Sequence, residues 1–128
     1  MRETVHRRPQ RLAVDLQRDS ILELTPHCNQ SCRYCYNAWK RGFTLESELL
    51  DAAGWCALIE KLQEETGCRR LTFSGGEPLL HPGFREILAF CHRRGMESVL
   101  ITNGQLLTDE TLAFCMEHGV GMFELTLL

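Results

Sequence analysis

The chain has 128 residues, of which 44% are hydrophobic and 24% charged, with a formal net charge of −3. That length suits one domain with a modest core, and the mild acidity excludes a broad attraction to nucleic acid or to an anionic membrane surface. Seven cysteines are many for so short a chain. The opening stretch "MRETVHRRPQRLAVDLQRDS" carries charges without the apolar segment of a signal peptide, and no apolar run reaches membrane-spanning length. A cytoplasmic, reducing setting and a metal site are therefore expected, rather than a disulfide frame.

In chain order, residues 1–19 read as an extension whose basic residues (Arg2, His6, Arg7, Arg8, Arg11) are solvated, with one short strand in "RLAVDLQ" where Leu12, Val14 and Leu16 alternate with polar neighbours. A single domain is expected over 20–128. It opens with the apolar run "SILELT" (20–25), which leads straight into "PHCNQSCRYCYN". "TLESELLDAAGWCALIEKLQEETG" (44–67) has helical period, with Leu45, Leu49, Ala52, Cys56, Ile59 and Leu62 on one stripe and Gly67 placed to end it. "RLTFSGGEP" (70–78) is a strand that runs into a glycine turn. "FREILAFCHRRG" (84–95) is a second helix and "SVLITNG" (98–104) a third strand. "TDETLAFCMEHG" (108–119) is a third helix, with Thr108 as N-cap, and "MFELTLL" (122–128) is a fourth strand. This alternation with short connections predicts an α/β fold with a parallel sheet and right-handed crossovers.

In a parallel sheet the loops after the strands share one rim. Here those loops carry Cys28, Cys32 and Cys35, then Gly75-Gly76-Glu77-Pro78, then Thr102-Asn103-Gly104. Ligands bind at that rim in α/β sheets and barrels. The three cysteines, spaced C-x3-C-x2-C, suggest a metal centre short of a fourth protein ligand. Cys68 precedes the second strand and belongs to the opposite rim, on the order of 15 Å away for a strand of about five residues. Cys56, Cys91 and Cys115 fall on the helices and read as small buried hydrophobes. His27, next to Cys28, would have to double its side chain back. Structural zinc normally takes four protein ligands in two pairs, whereas thiolate-only ligation also suits iron–sulfur clusters.

The cysteine loop with Tyr34 before its last cysteine, "LTFSGGEPLL" on the next strand and "ITNG" on the third together resemble the radical S-adenosylmethionine (SAM) superfamily, in order and spacing, from about Ile21 to Leu128. The resemblance implies one [4Fe–4S] cluster held by Cys28, Cys32 and Cys35 with an open iron site. SAM would be chelated there and reductively cleaved to a 5′-deoxyadenosyl radical that abstracts hydrogen from a substrate, the cofactors carrying the chemistry. It also implies backbone groups of Gly75-Gly76-Glu77 on the methionyl ammonium with Glu77 helping, and Pro78 fixing the turn. Tyr34 would lie against the adenine, Thr102 and Asn103 near SAM or substrate, and Thr126 toward the ribose. An electron donor such as flavodoxin or ferredoxin is implied as partner.

The superfamily's core is a partial (βα)6 barrel, and this chain matches its first three and a half units. The expectation is an amino-terminal portion that binds SAM poorly by itself. "LELTPHCNQSCRYCYN", "FSGGEPLLHPGF" and "TNGQLL" look most like the branch of peptide maturases, sulfatase-maturating enzymes and heme or cofactor biosynthesis proteins. A peptide or cofactor precursor would then be the substrate class, though no residue identifies it. Two alternatives stand beside this reading: a non-catalytic iron–sulfur or zinc module, and an inactive truncated chain.

Overall fold

A computed structural model describes residues 18–30 and 49–126. Cys32, Tyr34, Cys35, Leu45 and the strand expected in "RLAVDLQ" lie outside the described residues. The elements run β1 (Asp19–Thr25), α1 (Ala52–Thr66), β2 (Arg70–Gly75), one 3-10 turn (Pro78–Leu80), α2 (Phe84–Arg93), β3 (Glu97–Thr102), α3 (Asp109–Glu117) and β4 (Val120–Leu125). The four strands form one sheet in the order β1-β2-β3-β4, each neighbouring pair parallel. This is the α/β architecture expected from the alternation of strand and helix.

The first helix among the described residues starts later than its apolar stripe predicts. Asp51 is extended (φ −74°, ψ −179°) and its carboxylate accepts a hydrogen bond from Gly54 N at 2.8 Å, an N-cap that starts α1 at Ala52 instead of Thr44. Leu49 keeps the helical spacing in sequence but precedes the helix. The far end is as expected: Gly67 turns left-handed at φ 69° and its N–H reaches Gln63 O at 2.9 Å. The Thr108 cap is also found, accepting from Thr111 N at 3.2 Å. β4 begins at Val120, two residues before the expected Met122, because Val120 pairs with Ser98 and is buried.

The register aligns Leu22, Phe73, Leu100 and Phe123 in one row across the sheet. Phe73 and Leu100 are fully buried in the core that Ile59, Phe84, Ile87, Leu88, Cys91 and Cys115 of the helices complete. The Phe73 and Phe84 rings meet edge to face, centroids 6.0 Å apart. The adjacent row is Ile21, Thr72, Val99 and Met122. It points to the other face, and its outer members, Ile21 and Met122, stand 70% and 59% exposed. Helices therefore cover one face of this sheet, while the opposite face is open among the described residues, unlike the both-sided burial usual for parallel sheets.

Candidate functional site

The carboxyl ends of β1, β2 and β3 meet at one rim, where the chain continues the ladder after the strands end. Gly76 N donates to Thr25 O and Glu77 N donates to His27 O, each at 2.8 Å. The Thr25 hydroxyl accepts from His27 N at 3.1 Å. These bonds hold the main chain just before Cys28 against the Gly75-Gly76-Glu77 turn.

That approach explains both glycines. Gly75 sits at φ +122°, which an L side chain rarely adopts, and a Cβ there would lie 2.5 Å from Thr25 O. A Cβ on Gly76 would collide with His27 O and come within 2.6 Å of Pro26 O. On the side where side chains would stand, both glycines therefore face the backbone that leads into the cysteine-bearing loop.

Glu77 is fully buried. Its Oε1 accepts from the Thr102 hydroxyl at 2.6 Å and from Leu79 N at 3.3 Å, and its Oε2 accepts from Asn103 N at 2.9 Å. The carboxylate thus ties the loop after β2 to the end of β3 and caps the 3-10 turn that buried Pro78 opens. Three donors on one carboxylate satisfy a buried charge that would otherwise be costly. Thr102 is buried with its hydroxyl committed, since it also accepts from Gly104 N at 3.1 Å. Thr126 N donates to Thr102 O at 3.1 Å, extending the β3–β4 ladder past Leu125.

Cys28 lies exposed on this rim. Its sulfur is 3.8 Å from Nδ2 of Asn103. The same Nδ2 donates to Asn29 Oδ1 at 2.7 Å, and Asn29 Nδ2 donates to Gln105 Oε1 at 3.1 Å. The cysteine-bearing loop is therefore laced to the loop after β3 by amide side chains. Asn29 and Gln105 escaped the sequence reading because neither had a role assigned to it within the quoted stretches that contain them; only the register, which sets the two loops side by side, reveals them.

Among the sequence-predicted site residues, the structure brings together Cys28, Gly75, Gly76, Glu77, Pro78, Thr102 and Asn103. An exposed soft sulfur on the carboxyl rim, with an amide N–H directed at it, fits one ligand position of a thiolate-bound iron–sulfur cluster.

Of the four cysteines outside the C-x3-C-x2-C stretch, three behave as expected of core or outlying thiols. Cys91 and Cys115 are fully buried, and Cys68 is buried at the opposite rim, where its thiol donates to Arg70 O at 3.4 Å. Cys56 departs from expectation in being only half-buried. Burial pushes the Cys91 thiol up to about 12, and raises those of Cys56 and Cys115 as well. Neutral thiols are poor metal ligands.

The profile of the Radical SAM superfamily matches residues 22–127. The chain belongs to the radical SAM superfamily. It is 34% identical over 106 residues to the PqqA peptide cyclase of Gluconobacter oxydans (strain 621H), covering 83% of this chain and 29% of the relative. It is 36% identical over 102 residues to that of Xanthomonas campestris pv. campestris (strain B100), covering 77% and 26%. The chain thus spans less than a third of the length of these curated relatives. Among solved structures, BtrN in complex with AdoMet and 2-DOIA superposes with a TM-score of 0.68 at 26% identity, over 83% of this chain and 44% of that one. Streptococcus suis SuiB bound to precursor peptide SuiA superposes at 0.62 with 18% identity, over 76% and 21%, which bears on the fold alone. No helix among the described residues is long and apolar enough to cross a membrane.

Proposed function

We propose that this radical SAM chain provides the cluster-binding rim and the methionyl end of the SAM site in an enzyme that modifies a peptide precursor. The observation that carries this is the convergence of three loops: Cys28, the Gly75-Gly76-Glu77 turn pinned against it, and Asn103 beside its sulfur. Cys28, together with Cys32 and Cys35, would hold a [4Fe–4S] cluster. When bound, the cluster would supply one electron to the SAM sulfonium, whose cleavage yields a 5′-deoxyadenosyl radical able to take hydrogen from a substrate.

The residues of this chain hold and orient. The Thr25 and His27 carbonyls fix the loop through Gly76 N and Glu77 N, so that Cys28 stands at a set height above the sheet. Glu77 is bound on three sides by this chain's own donors, so it shapes the turn from beneath. Contact with the methionyl group would then fall to the backbone of Gly75, Gly76 and Glu77. The open sheet face with Ile21 and Met122 lies on the side away from the helices, as the lining of a barrel would. Support for a peptide substrate comes from the relatives named PqqA peptide cyclase and from the neighbour SuiB bound to precursor peptide SuiA. The electron donor would be a flavodoxin- or ferredoxin-like protein.

Anaerobic reconstitution tests the reading. It should yield a brown, oxygen-sensitive protein with about four irons per chain. In the enzyme of which this chain would form the cluster-binding part, dithionite and SAM should then release 5′-deoxyadenosine and methionine. A chain that binds zinc in place of iron, or an iron-loaded enzyme containing this chain that leaves SAM intact, would count against it.

A further inference from the structure

Asn103 stands out because both ends of its side-chain amide are committed and one end faces the cysteine sulfur. Its Oδ1 accepts from Gln105 N at 3.0 Å. A backbone N–H can only donate, so this bond fixes the amide orientation and turns Nδ2 toward the cysteine-bearing loop. Nδ2 carries two hydrogens. One goes to Asn29 Oδ1 at 2.7 Å; Cys28 Sγ, at 3.8 Å, is within reach of the other. Asn103 is itself held from below, its own N–H bonded to the buried Glu77 carboxylate at 2.9 Å.

We propose that Asn103 is a positioning residue that sets the reduction potential of the cluster through an N–H···S hydrogen bond to the Cys28 thiolate. This rests on Cys28 being a cluster ligand, as argued above. The physical reason is charge. One-electron reduction by an external low-potential donor adds a negative charge that spreads onto the ligand sulfurs. An N–H dipole aimed at one of them stabilises the reduced form more than the oxidised form, and hydrogen bonds to sulfur are among the determinants of iron–sulfur potentials. The loop after β3 therefore raises the potential. Because Glu77 anchors that loop, the turn that serves SAM and the donor that tunes the cluster are one hydrogen-bonded unit.

The test is a redox titration of the reconstituted chain, followed by the electron paramagnetic resonance (EPR) signal of the reduced cluster, with iron counted for every variant. Asn103→Asp keeps an acceptor for Gln105 N but removes both N–H groups; Asn103→Ala removes the amide altogether. Both should retain iron, and their potential should fall. At a fixed ambient potential near the midpoint the ratio of reduced to oxidised cluster should drop about tenfold, equivalent to about 59 mV for a one-electron couple. Asn103→Asp should shift at least as far as Asn103→Ala because it adds a negative charge. Gln105→Ala breaks the contact with Asn29 without touching the sulfur and should leave the potential unchanged. Equal potentials in wild type and both Asn103 variants would overturn the inference while leaving the cluster reading intact. So would loss of iron from both variants, which would make Asn103 purely structural. Failure of the wild-type chain to take up iron would overturn the cluster reading, and this inference with it.

Discussion

Replacing Glu77 by alanine should destabilise the chain by about 4 kcal/mol, a large fraction of the roughly 5–15 kcal/mol that holds a domain folded. Read from sequence, Glu77 is a contact for SAM; in the structure its carboxylate is wholly buried and takes hydrogen bonds from Thr102, Leu79 and Asn103. A hydrogen bond to a charged acceptor contributes roughly 1.5–3 kcal/mol, and each buried donor left without an acceptor costs about 1–3 kcal/mol. Alanine strands two backbone N–H groups, at residues 79 and 103. Glutamine strands fewer. The Thr102 hydroxyl can reverse its role to face an amide –NH2, but Asn103 N and Leu79 N can only donate, and glutamine offers a single oxygen to the two of them. Glu77→Gln should therefore cost about 1–3 kcal/mol. Urea denaturation followed by circular dichroism gives both values, and native-state hydrogen exchange at the amides of residues 79 and 103 localises them. An alanine variant within about 0.5 kcal/mol of wild type, with the amide of Asn103 still protected, would refute the claim that Glu77 joins the two loops.

Gly76→Ala should lower iron content and stability together, because its Cβ meets the His27 and Pro26 carbonyls and must push the cysteine-bearing loop aside, at about 1–3 kcal/mol; normal iron uptake by this variant would show that the loop yields freely. Alkaline stability should depend on Cys91: its thiol titrates near 9.0 when unfolded and at about 12 when folded, so the native state keeps its proton longer and stability falls by about 1.4 kcal/mol per pH unit across that window, a slope that Cys91→Ala should reduce in denaturation series from pH 9 upward. Cys28→Ala, Cys32→Ala and Cys35→Ala should each abolish the brown colour while Cys91→Ala and Cys115→Ala keep it; a colourless Cys115 variant beside a brown Cys28 variant would reverse the ligand assignment.

The strand–helix alternation was readable because each strand is a short β-branched or apolar run and each helix has either a clear cap or a clear stop. Thr108 and Gly67 are examples, and both act as their chemistry dictates. The start of α1 misled because Leu45 and Leu49 continue the helical stripe, and periodicity alone cannot weigh an Asp51 cap against it. The rim was legible from strand direction, so Cys28, Glu77 and Asn103 could be placed together. The partners of those residues were not. That the Glu77 carboxylate faces the protein, and that Gly75 and Gly76 make room for Thr25, Pro26 and His27, follows from a register between loops that no local pattern encodes. For the same reason the amide chain from Cys28 through Asn103 and Asn29 to Gln105 has no sequence signature.

The central claim is that Cys28 and the Gly75-Gly76-Glu77 turn form one site where SAM meets an iron–sulfur cluster. The EPR spectrum of the dithionite-reduced, reconstituted enzyme of which this chain would form the cluster-binding part, recorded with and without saturating SAM, tests it most directly. The account predicts a reduced-cluster signal whose g values change when SAM is added, because SAM would occupy the open iron. A reduced-cluster signal that saturating SAM leaves unchanged would contradict the account and make this rim an electron-transfer or structural site.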